Sequence, residues 1–145
     1  MTDYKTKYGT IHAGGPCKDD YANIETYEQA NIRRHNPPTV KLQAPAIRAL
    51  KDAERAYARR TRPWRKRRTI PTSGSWRSCE FQAQKYKEDP NRFAHPDKTL
   101  HTRGLAIDVD TRYLNGTIRK VLLAHGWHQS RPGDEPWHFS FHLTG

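Results

Sequence analysis

Two stretches of strict alternation constrain this chain more than anything else in it. In Leu105–Asp110, the residues Leu105, Ile107 and Val109 point one way and Ala106, Asp108 and Asp110 the other. In Trp137–Leu143, Phe139 and Phe141 oppose His138, Ser140 and His142. A period of two lays one set of side chains on a core and the other on an open face, so both stretches predict half-buried strands. If the two strands pair, Asp108 and His138 converge. A carboxylate within an apolar strand must be ion-paired, hydrogen-bonded or metal-bound wherever it is buried.

Around these strands the pattern is mixed. Ala46, Leu50, Ala53 and Tyr57 recur at the helical period over residues 45–60, with Ile47 and Ala49 widening the stripe and Pro45 suited to the first helical position. Cys79–Lys87 reads as a second helix. Asn115-Gly116 reads as a turn, and Thr117 as the cap of a third helix running to Ala124, with Gly126 at its C-terminal end. Arg68–Ser73 reads as a short strand held to a sheet edge by Pro71. Residues 1–43 show little periodicity and read as an N-terminal arm that wraps the domain or stays partly loose, with one short helix within Tyr21–Arg34. Residues 44–145 form the functional domain. The fold class is α+β: one small domain with a central antiparallel sheet flanked by helices.

The chain has 145 residues, a length that suits one domain. Its formal net charge of +11 attracts polyanions, so a nucleic-acid-binding module enters as one reading on charge alone. The basic stretch Arg59–Arg68 reads as a solvated loop, or as an attachment to an anionic surface. No apolar run is long enough to span a membrane, and the polar residues Met1–Gly15 lack the apolar core of a secretory signal. With two cysteines, Cys17 and Cys79, in unrelated sequence contexts and no CxxC spacing, free thiols are favoured over a single Cys17–Cys79 bridge, which sequence leaves open.

The candidate chemistry lies on and beside the two strands. His101, Asp108 and His138 offer two imidazoles and a carboxylate. Three protein ligands with a fourth position left open form the pattern of a catalytic rather than a structural zinc site, in which a water has its pKa lowered to about 7. Glu135, three residues before His138, suits a general base beside such a site. Arg77 suits stabilisation of a carbonyl oxygen as it turns anionic. His142 shares an alternation face with His138 and is the spare ligand; the helical H-E-x-x-H zinc motif is absent.

The neighbours of these residues carry a resemblance. The segment Thr99-Leu-His-Thr-Arg-Gly-Leu-Ala-Ile-Asp-Val109 resembles the S-x-H-x-x-G-x-A-x-D motif of the D-alanyl-D-alanine metallopeptidases. Glu135-Pro-Trp-His-Phe139 is similar to their E-x-W-H signature, and Gly74-Ser-Trp-Arg-Ser78, with Gln82 beyond, to their S-G-Y-R-S segment. The three occur in the family's order and together span roughly residues 70–142. Thr99 stands where serine is usual, Trp76 where tyrosine is usual, and Gly74-Ser75 reverses the usual pair. The resemblance implies a hedgehog/D,D-peptidase-like fold, with Zn2+ held by His101, Asp108 and His138. It implies Glu135 and Arg77 as catalytic residues, with substrate contacts from Ser73, Gln82, Thr99 and Trp137.

The implied substrate is the peptidoglycan stem peptide, cut at its terminal D-Ala-D-Ala bond. The alternative is an L-alanyl-D-glutamate endopeptidase acting as a phage endolysin or virion-borne wall hydrolase. On this reading the net charge serves anionic wall polymers, with no specific nucleic acid as partner. The enzyme would be made in the cytoplasm and reach the cell wall by lysis, through a holin or in a phage particle.

Overall fold

A computed structural model of the chain describes residues 3–18, 24–29, 39–61 and 69–143. In chain order its elements are β1 (Asp3–Thr6), β2 (Gly9–His12), β3 (Ile24–Glu28), β4 (Thr39–Gln43), α1 (Ala44–Thr61), β5 (Thr72–Gly74), α2 (Cys79–Glu88), a 3-10 turn (His101–Arg103), β6 (Ala106–Val109), α3 (Gly116–Ala124), β7 (Trp127–His128) and β8 (His138–Phe141).

The two alternating stretches do pair. β6 and β8 run antiparallel, with Ala106 opposite Ser140, Ile107 opposite Phe139 and Asp108 opposite His138. They form the centre of a four-stranded sheet of order β5-β6-β8-β7. The edge strand β5 pairs Thr72 with Val109 and Gly74 with Asp108, across a register shift between Thr72 and Gly74. The inward set of this sheet, Leu105, Ile107, Val109, Phe139 and Phe141, is buried with Ala46, Leu50, Ala53 and Tyr57 of α1 and Ile118, Val121 and Leu122 of α3. The helical stripe read from residues 45–60 is therefore the face that closes the core.

Several expectations need correction. His142 does not extend β8. It turns away with φ of 67°, is exposed, and stacks its ring near Tyr4, so it does not share the face of His138. Asn115 rather than Thr117 caps α3, accepting the Ile118 N–H at 2.8 Å. An asparagine with extended backbone performs this task as well as threonine, two residues earlier than expected. Gly126 has the expected positive φ, 88°.

Residues 24–28 of the expected short helix are instead strand β3, paired residue for residue with β4. Ile24, Thr26 and Tyr27 favour a pleated surface, and the strand delivers Tyr27 and the buried Gln29 to partners on α1 and β5. Residues 21–23 and 30–34 of that expected helix, and residues 62–68 of the basic stretch, lie outside the described residues.

The cysteines are joined: Cys17–Cys79 is a disulfide with an S–S distance of 2.05 Å. Free thiols were expected because the local contexts are unrelated, but the chain path makes them neighbours. After β2, residues 13–17 lie along the loop that precedes the 3-10 turn. Arg103 there donates to the carbonyls of Gly15 (2.9 Å) and Pro16 (3.3 Å), and the Cys17 N–H reaches Asp97 Oδ1 at 2.7 Å. This path sets Cys17 against the first residue of α2. The segment before α1 also supplies core residues, Ile11 from β2 and Val40 and Leu42 from β4.

Candidate active site

The site is assembled from three separate pieces of chain. His101 opens the 3-10 turn, which ends at Gly104 with φ of 71°, a backbone conformation that favours glycine. Thr99 Oγ1 accepts the His101 N–H at 3.3 Å. His101 Nδ1 lies 2.7 Å from the Ser75 carbonyl oxygen. A carbonyl only accepts, so Nδ1 carries the proton and, in the neutral ring, Nε2 carries the lone pair.

Asp108 projects from β6 with its side chain 14% exposed, and its register partner His138 projects beside it. Asp108 Oδ1 lies 3.3 Å from His101 Nε2 and 3.5 Å from His138 Nδ1, and the candidate ligand atoms of all three residues lie within 4.8 Å of one another.

This donor set fits a metal ion. The lone pair of a neutral His101 Nε2 faces an anionic oxygen at 3.3 Å, a contact that repels unless a proton or a cation stands between them. Ligand atoms about 2.1 Å from a tetrahedral zinc stand about 3.4 Å from one another, close to both nitrogen–oxygen distances here. The hydrogen bond from Nδ1 to Ser75 fixes the ring orientation and tautomer, which is the role of outer partners in metal sites.

The other Asp108 oxygen, Oδ2, accepts from Arg77 at 2.9 Å. Burial alone would raise the pKa of this carboxyl. With the two imidazoles protonated, hydrogen bonds from His101 and His138, together with the charges of His101 and Arg77, outweigh burial and hold it well below the usual carboxylate range.

Arg77 is held by its surroundings. Its backbone N–H donates to the His101 carbonyl at 3.1 Å, and Nη1 reaches Gln82 Oε1 at 3.4 Å. Gln82, 1% exposed on α2, in turn donates to the Ala94 carbonyl at 2.8 Å. Gly74, opposite Asp108, leaves room for the carboxylate: a Cβ at that position would lie 3.2 Å from Oδ2.

These groups open into a cleft of about 400 Å³ lined by His101, Asp108, His138, Arg77, Gln82, Thr99, Glu135 and Trp137 among others. The Glu135 carbonyl accepts the His138 N–H at 3.1 Å, a tight turn that keeps the two residues on one rim. Glu135 Oε2 lies 3.6 Å from Arg131 Nη1. Of the nine residues singled out from the sequence, Ser73 alone is not among the cleft-lining residues. It is exposed at the sheet edge, its hydroxyl donating to the Asp108 carbonyl at 3.2 Å.

Sequence reasoning did not single out Ser75, whose backbone carbonyl orients His101 and whose hydroxyl accepts the Lys41 N–H at 3.0 Å. A contact made through a carbonyl leaves no signature in residue type. Arg92, Lys98 and Arg131 also line the cleft and were missed among the chain's many cations.

Comparison with known proteins gives no match to any protein-family profile and none to a curated protein. Solved structures do match. A mutant of the vancomycin-resistance D,D-pentapeptidase VanY, from a VanB-type cassette and in complex with Zn(II), superposes with a TM-score of 0.56 at 17% identity, over 88% of this chain and 83% of its own. The LD-carboxypeptidase LdcB gives 0.58 at 16% identity, over 83% of this chain and 68% of its own. DacB from Streptococcus pneumoniae gives 0.50 at 20% identity, over 96% of this chain and 79% of its own. The chain therefore shares the α+β fold of VanY and LdcB.

Proposed function

We propose that this chain is a zinc-dependent peptidase that hydrolyses the stem peptide of bacterial peptidoglycan, with the terminal D-Ala-D-Ala bond as its substrate. The observation that carries this reading is the convergence of His101, Asp108 and His138 at the floor of a cleft that also holds Glu135 and Arg77. The fold is shared with LdcB, an LD-carboxypeptidase that recognises peptidoglycan, and with the D,D-pentapeptidase VanY, whose structure is a complex with Zn(II).

A zinc ion at the three ligands would supply a Lewis acid for the scissile carbonyl and an acidified water. The chain's own groups account for the rest. Glu135 takes the proton of the attacking water and delivers it to the leaving amine nitrogen, a shuttle that needs a carboxylate at the rim without ligation. Arg77 offers its guanidinium to the negative charge that develops on the carbonyl oxygen, and its anchoring by Gln82 and by the His101 carbonyl pre-positions it. Thr99 orders the His101 turn, and Trp137 supplies an apolar wall between Glu135 and His138.

The disulfide supports action in an oxidising compartment such as the wall, and the net charge of +11 supports retention on anionic wall polymers. No helix among the described residues is long and apolar enough to cross a membrane.

The test is digestion of a synthetic stem pentapeptide by the wild type and by Glu135→Ala, with products identified by mass spectrometry. Release of the terminal D-alanine by the wild type alone is expected. Release of L-alanine would assign the L-Ala-D-Glu bond instead, and absence of cleavage by the wild type would overturn the peptidase reading.

A further inference from the structure

The cleft holds more positive charge than the catalytic groups use. Four cationic side chains, Arg77, Arg92, Lys98 and Arg131, line it against two carboxylates, Asp108 and Glu135. Arg77 is paired with Asp108, and Arg131 lies 3.1 Å from Asp134 and 3.6 Å from Glu135. Arg92 and Lys98 are different: both are exposed at the cleft, and no ion pair joins either to a carboxylate of the described residues. The Arg92 guanidinium lies 5.4 Å from the centre of the Phe93 ring, which lines the same cleft and steadies the cation over an aromatic face.

A divalent cation at His101, Asp108 and His138 would add to this excess. A stem peptide with lysine at its third position brings its C-terminal carboxylate and, one γ-linked residue further from the scissile bond, the α-carboxylate of D-glutamate, so no carboxylate of such a peptide lies at the third position to meet the two cations. With the terminal D-Ala-D-Ala bond at the ligand cluster, the third stem residue lies within about 10 Å along an extended chain, at roughly 3.4 Å per residue, the scale of this cleft.

We infer that Arg92 and Lys98 form a second carboxylate subsite, selecting stem peptides whose third residue carries a free side-chain carboxylate, as diaminopimelate does and lysine does not. The inference rests on the peptidase reading above and narrows its substrate. The subsite recognises a carboxylate at a solvent-accessible rim, so its contribution is modest, lies in kcat/KM, and is screened by salt.

The experiment compares two pentapeptides that differ in one group: diaminopimelate at the third position with its side-chain carboxylate free, or with that carboxylate amidated. Both keep the side-chain ammonium and the terminal D-Ala-D-Ala bond. The wild type should favour the free carboxylate in kcat/KM by roughly five-fold at low salt, and the preference should shrink as ionic strength rises. The double variant Arg92→Gln, Lys98→Gln should bring the ratio close to unity.

Equal kcat/KM for the two peptides in the wild type would overturn the inference while leaving the peptidase reading standing. A preference that survives in the double variant would overturn the assignment to these two residues. Cleavage of neither peptide would overturn the peptidase reading and the inference with it.

Discussion

Glu54 is not among the residues that line the cleft and carries a pH dependence of its own. It sits on α1, 5% exposed. One oxygen accepts the Tyr27 hydroxyl, and the other accepts the Ile70 N–H at 2.8 Å and the Gln29 amide at 3.2 Å. Burial pushes its pKa up from an ordinary 4.5 to about 7, against the opposing pull of those hydrogen bonds and of Lys51. In the unfolded chain the group loses its proton near its ordinary value, and in the folded protein it keeps the proton to about 7. Its favourable contribution is therefore complete at acid pH and is lost as pH rises through the folded value. At ~1.4 kcal/mol per pH unit, the interval between 4.5 and about 7 amounts to about 3 kcal/mol.

Glu54→Gln isolates this effect. The amide oxygen keeps the bonds from Ile70 and Gln29, its NH2 can donate to the Tyr27 oxygen, and no proton is taken up or lost. In urea titrations at about pH 5 and about pH 8, the stability of Glu54→Gln relative to the wild type should rise by about 2.5 kcal/mol between the two conditions, part of the full interval being lost already by pH 5. Referring each pH to the variant cancels the other titrating groups. Glu54→Ala, which strands three donors, should cost about 2–4 kcal/mol at both pH values. A wild-type-to-Gln difference that does not change with pH would refute the assignment of a raised pKa to this carboxyl.

Three further outcomes follow from the same structure. Removing the disulfide with Cys17→Ser, Cys79→Ser should lower stability by up to about 4 kcal/mol, because the bridge spans 62 residues of sequence; unchanged urea midpoints for the variant and for the reduced protein would contradict this. Gly104→Ala should cost at least about 2 kcal/mol in the same assay, since the position has φ of 71° and an added Cβ would stand 3.1 Å from the Gln43 backbone nitrogen and closer still to Ile24; a neutral effect would show that the turn can relax. Glu135→Gln should lower kcat for stem-peptide hydrolysis by about 10²–10⁴-fold while leaving zinc affinity within a few-fold of the wild type; lost affinity would make it a ligand rather than a proton carrier.

The parts of the fold legible in sequence are those in which one residue pattern serves one surface. Leu105–Asp110 and Trp137–Leu143 alternate because each strand has a core side and a cleft side, and that periodicity sets Asp108 beside His138 once the two strands pair. The α1 stripe was legible for the same reason. β7, at two residues, is too short to show a period. β1 and β2 pair over only four residues each, and their packing comes through Ile11 alone among fully buried apolar groups.

The disulfide depends on a chain path fixed by Arg103 and Asp97 through backbone contacts that residue identity does not announce. At the site, ligands and catalytic candidates carry distinctive residue types at distinctive spacings. Ser73 does not: its hydroxyl is spent on the Asp108 carbonyl at the sheet edge, a use that spacing cannot separate from substrate contact.

The most direct test of the central claim is zinc reconstitution. The purified protein is stripped with a chelator, zinc is added back in steps, and stem-peptide hydrolysis is followed at each step beside Asp108→Ala and His138→Ala. Activity should be absent in the stripped protein, rise linearly, and break at one zinc per chain, with both variants flat throughout. Full activity after stripping, or a break unaffected by either substitution, would show that His101, Asp108 and His138 are not a metal centre that this protein uses.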